Sequence, residues 1–262
     1  MTGLIEENVM STKGIADVVF CIDASKSMKP CIDGIRANLG SFMDGLKSDR
    51  QVVWDLRMDY LAHRATGEGL RRLFDMRSLF YSSNENVCWA ALYKDTQGGG
   101  RFFTSSADDF REGLKQIDVR GDEAALVGLD FALDFPWRDA AQCHRIVIML
   151  TDEPLEKGIA VEWQTGKLSE IIEKIQHLKV MLFLVAPESD GFATLCEADK
   201  SEYQVVSGLR DGLESVDFRK VLSYIGKSVS KSTVQQSAPI SVTRGVFGQG
   251  GWGTSEADFR GE

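Results

Sequence analysis

Asp23, Ser25 and Ser27 stand at alternate positions in Val18-Val19-Phe20-Cys21-Ile22-Asp23-Ala24-Ser25-Lys26-Ser27-Met28, directly after a run of apolar, strand-forming residues. One carboxylate and two hydroxyls, each separated by a single spacer, make an all-oxygen, partly neutral donor set. Such a set suits a hard divalent cation, Mg²⁺ or Mn²⁺. The same groups have a plainer use, because Asp and Ser are favoured at helix N-termini, where their oxygens accept from exposed backbone N–H groups. A second apolar run, Ile146-Val147-Ile148-Met149-Leu150, ends on Thr151-Asp152 and delivers another carboxylate at the end of another buried strand. Two such deliveries favour the cation over the helix cap.

The elements that must position these groups are legible from periodicity. Residues 18–22, 146–150 and 180–186 are nearly continuous apolar runs, the pattern of strands covered on both faces, as in parallel sheets. Residues 51–61 alternate more, which predicts a further strand, antiparallel and nearer an edge. Ile32, Ile35, Leu39, Phe42, Met43 and Leu46 recur at helical spacing behind Pro30, which suits a first helical turn. Ser105 or Ser106 can cap a helix through Phe110, Leu114 and Ile117. Further helices follow from Leu126, Leu129 and Leu133 before Pro136, from Leu168, Ile171, Ile172, Ile175 and Leu178, and from Phe218, Val221, Leu222 and Ile225. Strands alternating with helices of these lengths predict an α/β domain with a mostly parallel sheet and functional groups at the strand C-terminal ends.

Two regions exceed a minimal domain. Residues 63–100 contain Leu79-Phe80-Tyr81, the apolar run 87–93 and Gly98-Gly99-Gly100, and read as an inserted hairpin or pair of strands. Beyond Lys227 the chain turns Ser-, Lys- and Gln-rich and then glycine-rich around Phe247 and Trp252, which reads as a linker and tail. Exposed aromatics on such a segment can dock into another chain.

The Asp-x-Ser-x-Ser element at Asp23, Ser25 and Ser27, with Asp152 after the later buried strand, resembles the metal-ion-dependent adhesion site of von Willebrand factor type A domains, of the bacterial cytoplasmic kind. The resemblance spans roughly residues 15–227, after an extension over 1–14 and before the tail over 228–262. It implies a doubly wound, Rossmann-like sheet flanked by helices. It also implies a second ligand from a loop before a central helix, usually a threonine. Here that loop, Val119-Arg120-Gly121-Asp122-Glu123, has none. Its similarity to members with a Gly-Asp-Glu loop places Asp122 at the threonine's position, with Glu123 as the other candidate. The implied metal set is therefore Asp23, Ser25, Ser27, Asp122 and Asp152. A further carboxylate on the ion would tighten metal binding and weaken capture of a partner's acidic group. The implied function is non-catalytic: an adaptor in a larger complex that holds Mg²⁺ or Mn²⁺ and uses it to recognise an Asp or Glu of a protein partner.

Other function classes fit less well. A Mg²⁺-dependent phosphohydrolase would need a second aspartate two residues after Asp23 as general acid/base, and Ser25 cannot protonate a leaving group at neutral pH. The nucleotide-binding pattern Gly-x-x-x-x-Gly-Lys-[Ser/Thr] is absent. A formal charge of −9, with only the sparse clusters Arg71-Arg72 and Lys227 to Lys231, argues against neutralising a nucleic-acid backbone. A third reading keeps the fold but makes the metal site vestigial, with binding moved to the insertion or tail.

The remaining reactive residues read as structural. Five cysteines (Cys21, Cys31, Cys88, Cys143 and Cys196) form no Cys-x-x-Cys pair, and the odd number predicts buried free thiols of a reducing compartment. Cys31 could gain acidity from its place in the first helical turn, but lacks a paired histidine. His63, His144 and His177 are expected at the surface or an interface. Asp17 lies at the start of the first strand, opposite the proposed site, and Asp108-Asp109 read as first-turn helix charge. Residues 1–13 show no basic-then-apolar leader, and no apolar stretch is long enough to cross a bilayer. The expected location is the cytoplasm.

Overall fold

The computed structural model describes residues 12–48, 52–66, 73–97, 100–157, 161–206, 213–214 and 216–234. Arg71-Arg72, Gly98-Gly99, the segment before Thr12 and the glycine-rich tail lie outside the described residues. The elements run β1 (Thr12–Asp23), α1 (Lys29–Leu46), β2 (Val52–Thr66), β3 (Leu73–Ser78), β4 (Ser82–Asn84), α2 (Glu85–Thr96) and α3 (Ala107–Leu114). They continue with α4 (Ala125–Leu133), β5 (His144–Leu150), α5 (Val161–Leu178), β6 (Val180–Ala186), α6 (Asp190–Leu195), β7 (Ser201–Val205) and α7 (Phe218–Val234). The strands form one seven-stranded sheet in the order β4-β3-β2-β1-β5-β6-β7. β2, β1, β5, β6 and β7 are parallel, and β3 and β4 are antiparallel.

The central strands are apolar throughout because helices cover both faces. Val18, Phe20 and Ile22 of β1 pack with α1, α3 and α7, while Val19 and Cys21 pack with α2, α4, α5 and α6 on the other side. β5 and β6 divide in the same way. α1 and α7 approach closely along a glycine seam: a Cβ on Gly45 would stand 2.4 Å from the Ser223 carbonyl oxygen, and one on Gly226 2.4 Å from that of Phe42. α7 remains helical to Val234, because Ile225 and Val229 prolong its buried stripe, so the first residues expected to be a linker belong to it.

Three expectations are corrected. β2 is parallel to β1 and lies inside the sheet, between β1 and β3. The α1 crossover returns the chain to the same end of the sheet, which makes the pairing parallel whatever β2's own pattern. Residues 63–100 contain an antiparallel hairpin, β3 and β4, but its apolar run 87–93 lies in helix α2 and not in that hairpin. There Cys88, Ala91 and Leu92, at helical spacing, bury against the second core, and this packing overrides the β-preference of Val87, Trp89 and Tyr93. His63 is fully buried and His144 only 9% exposed; His177 alone is at the surface.

Two buried aspartates hold β2 in place. Asp59 accepts backbone N–H bonds from Tyr60, Leu79 and Phe103 at 2.8, 2.9 and 2.9 Å, pinning the turn after β3 and the returning segment to β2. Asp17, at the opposite end from the proposed site, accepts from Arg57 at 2.9 and 2.6 Å and from the side chain of Arg138 at 2.7 Å. Burial alone would raise its pKa, but the two guanidinium partners hold it below the usual carboxylate value.

Candidate metal centre

β1 ends at Asp23, and Ala24 N–H donates to the His63 carbonyl (2.8 Å), which fixes where the following loop leaves the sheet. Ser25 N–H turns back to Asp23 Oδ1 at 2.7 Å. Ser25 and Ser27 place their hydroxyls 3.3 Å apart. Neither the short turn at Lys26–Met28 nor α1 receives a side-chain cap, so these oxygens are not consumed in the plainer role open to them.

The second arm comes from β5. Thr151 N–H donates to Val185 O at 3.2 Å, and its hydroxyl donates to Asp23 Oδ2 at 3.0 Å. Asp152 follows, 2% exposed, with the Ser27 hydroxyl near enough to favour its ionised form. Its Oδ1 is buried with no hydrogen-bond partner. A buried carboxylate oxygen without a donor is costly, and a cation is the ordinary remedy.

The third arm is the loop before α4, stitched to both neighbours. Arg120 N–H donates to the Ala24 carbonyl at 2.9 Å, and Asp122 exchanges backbone hydrogen bonds with Ala65 at 2.8 and 3.0 Å. Gly121 makes this possible, since it has φ +78° and a Cβ there would meet the Ala65 oxygen at 2.4 Å. With its backbone tied to β2, Asp122 keeps an exposed side chain, and the half-buried side chain that joins the centre is that of Glu123. One oxygen from each of Asp23, Glu123 and Asp152 lies within 4.8 Å of the others. Ligand oxygens around Mg²⁺ sit about 2 Å from the ion, hence about 3–4 Å from one another, so a small closure brings the three carboxylates to coordinating distance. The structure thus gathers Asp23, Ser25, Ser27 and Asp152, and the acidic member of the loop that joins them is Glu123 and not Asp122.

The electrostatics point the same way. Burial pushes Asp23 up to about 7, with the Asp152 charge adding to it against the hydrogen bonds from Ser25 and Thr151. Burial, the Asp23 charge and the Glu153 charge push Glu123 up to about 8. Burial also raises Asp152, against the Ser27 hydroxyl. Near neutral pH and without a cation, Asp23 and Glu123 are therefore partly protonated, and a cation would replace those protons. Cys31 and Cys21 lie beneath the centre, and burial, reinforced by the nearby carboxylates, drives both thiols upward. Cys31 is therefore a packing residue and not an activated thiol. All five cysteines are free.

Sequence reasoning did not single out Thr151, although its place directly before Asp152 was a usable signal. Nor did it find His63 beside the centre. The ring packs against α4, where a Cβ on Gly128 would stand 2.1 Å from its Cδ2, and burial lowers its pKa to about 3.

Comparison with known proteins places the fold. No sequence-family model and no curated protein matches the chain. Among solved structures it resembles a von Willebrand factor type A protein from Catenulispora acidiphila, with a TM-score of 0.51, 15% identity and 84% of this chain covered. It also resembles the pilus adhesin SpaC of Lactobacillus rhamnosus GG (0.49, 11%, 84% covered) and proximal thread matrix protein 1 of the mussel byssus (0.47, 16%, 84% covered). The chain spans 43%, 30% and 47% of those three chains respectively. The likeness to the first of these is one of fold, the von Willebrand factor type A fold, an α/β architecture with a mostly parallel central sheet. Among the described residues no helix is long and apolar enough to cross a membrane.

Proposed function

We propose that this chain is a non-catalytic protein-interaction module that binds a divalent cation, Mg²⁺ or Mn²⁺, and uses it to take hold of an acidic side chain of a protein partner. The observation that carries the reading is the buried, donorless Oδ1 of Asp152, in a residue whose carboxylate is gathered with those of Asp23 and Glu123. Asp23, Asp152 and Glu123 would hold the ion, and Ser25 and Ser27 would add neutral oxygens. Bound there, the cation supplies a hard, electrophilic point charge for an oxygen ligand.

This chain's own residues set the terms. Thr151 and Ser25 N–H orient Asp23, and the Ser27 hydroxyl favours the ionised form of Asp152. Arg120 and Asp122 hold the Glu123 loop in place through their backbones.

Calorimetric titration of chelator-stripped protein with Mg²⁺ and Mn²⁺, beside Asp23→Ala, tests the site. Saturable binding lost in the variant supports it, and partner pull-downs with and without chelator then test its use. Binding that ignores chelator would assign recognition to another surface. Phosphatase activity present in the wild type and lost in Asp23→Ala would overturn the non-catalytic reading.

A further inference from the structure

The centre carries one carboxylate more than a divalent cation needs. Asp23 and Asp152 alone balance the charge of Mg²⁺ or Mn²⁺, and Glu123 leaves the filled site with one negative charge in excess. A partner's carboxylate would then approach a site of its own sign, at distances where like charges repel strongly. Capture of an acidic side chain and retention of all three carboxylates on the ion therefore oppose each other. One of the three must give way.

The structure distinguishes which. Asp23 is fully buried and held on both oxygens, by Ser25 N–H and by the Thr151 hydroxyl. Asp152 is buried beside it, and its donorless Oδ1 has no alternative partner to move to. Glu123 is only half-buried, and the charge of Glu153, a half-buried residue outside the three gathered carboxylates, acts against its ionised form. It is the least buried of the three gathered carboxylates. That backbone is secured without it, since Arg120 N–H holds the Ala24 carbonyl and Asp122 is paired with Ala65. The loop's position therefore does not depend on where the Glu123 carboxylate sits.

Building on the cation reading above, we propose that Glu123 is an internal competitor, its carboxylate taking the place on the cation that a partner's acidic side chain would occupy. A partner binds by displacing Glu123 from the cation. The resting centre holds its cation tightly and ignores isolated carboxylates, which keeps it from being filled by any acidic group in solution. Only a partner whose other contacts offset the displacement is retained.

Mn²⁺ is the probe, read by its effect on the relaxation of water protons, which rises with the number of waters on the bound ion. The 262-residue chain is saturated with Mn²⁺ and titrated with acetate, beside Glu123→Ala and Glu123→Gln. An octahedral ion that loses Glu123 should gain about one water, so Glu123→Ala should relax water protons faster than the wild type. Acetate should displace that water and bind Glu123→Ala about tenfold or more tightly than the wild type, because one like charge has been removed. Glu123→Gln keeps the length and hydrogen bonding of the side chain and should also take up acetate more tightly than the wild type. Circular dichroism checks that each variant is folded, and the glutamine variant decides if the alanine one is not. Wild type and both folded variants with the same relaxation and the same acetate response would overturn the competitor role while leaving the cation site standing. Acetate binding to the wild type as tight as to the variants would do the same. A wild type that binds no Mn²⁺ at all would instead overturn the cation reading, and this inference with it.

Discussion

The Thr151 hydroxyl donates to Asp23 Oδ2 across 3.0 Å, joining the ends of two neighbouring parallel strands 128 residues apart in the chain. With Ser25 N–H on the other oxygen, Asp23 is fixed in orientation, whereas Asp152 retains an oxygen with no donor. The centre thus has a pinned carboxylate beside one whose Oδ1 has no donor.

That asymmetry predicts opposite effects on stability and binding. At mildly alkaline pH, Asp152→Asn should abolish the cation response in calorimetry. In chelator it should also raise stability, by about 1–3 kcal/mol, because a buried charge without a donor is removed. Chemical denaturation in chelator measures this. A variant less stable than the wild type under those conditions would contradict the assignment of Asp152 Oδ1.

The two acidic residues of the loop before α4 should separate cleanly. Glu123→Gln should weaken cation affinity by about 10- to 100-fold, while Asp122→Ala should leave it within about threefold, since Asp122 holds the loop through its backbone. Equal losses in the two variants would mean that both carboxylates reach the ion.

Proton and cation should compete. Asp23 and Glu123 have folded values of about 7 and about 8, above their ordinary 3.8 and 4.5, so the cation-free folded protein holds more protons than the unfolded chain between those limits. Their contribution to stability is present at the acidic end and lost as pH rises through the window. Asp59, raised to about 7 by burial, has the same sign, whereas His63 and His144, lowered by burial to about 3 and about 4, have the opposite sign below their ordinary value. The useful quantity is therefore the melting temperature with cation minus that without. It should be near zero at about pH 5 and grow to several degrees by about pH 8. A difference that does not vary with pH would remove these carboxyls from the site.

The glycine seam should be intolerant. Gly226→Ala drives a methyl to within 2.4 Å of the Phe42 carbonyl oxygen, and backbone cannot yield as a side-chain tip would. It should destabilise by about 1–3 kcal/mol or more. Gly40→Ala on helix α1 meets nothing within 4 Å and should be neutral or stabilising. Thermal melts of the pair distinguish a close-packed α1–α7 contact from a loose one.

The sequence by itself determined the parallel core, because strands covered on both faces must be apolar at every position, as residues 18–22, 146–150 and 180–186 are. It also set Asp23, Ser25, Ser27 and Asp152 at strand ends, because a polar group directly after such a strand has only the rim of the sheet to occupy. What lay between those rims was decided by the tertiary structure. The direction of β2 follows from the α1 crossover and not from its own residues, and α2 is helical because the second core gives Cys88, Ala91 and Leu92 a surface to bury against. The choice of Glu123 over Asp122 was equally out of reach of sequence reasoning. Neighbouring carboxylates look alike in a sequence, and only the backbone bridge from Asp122 to Ala65 on a different strand turns one outward and the other into the site.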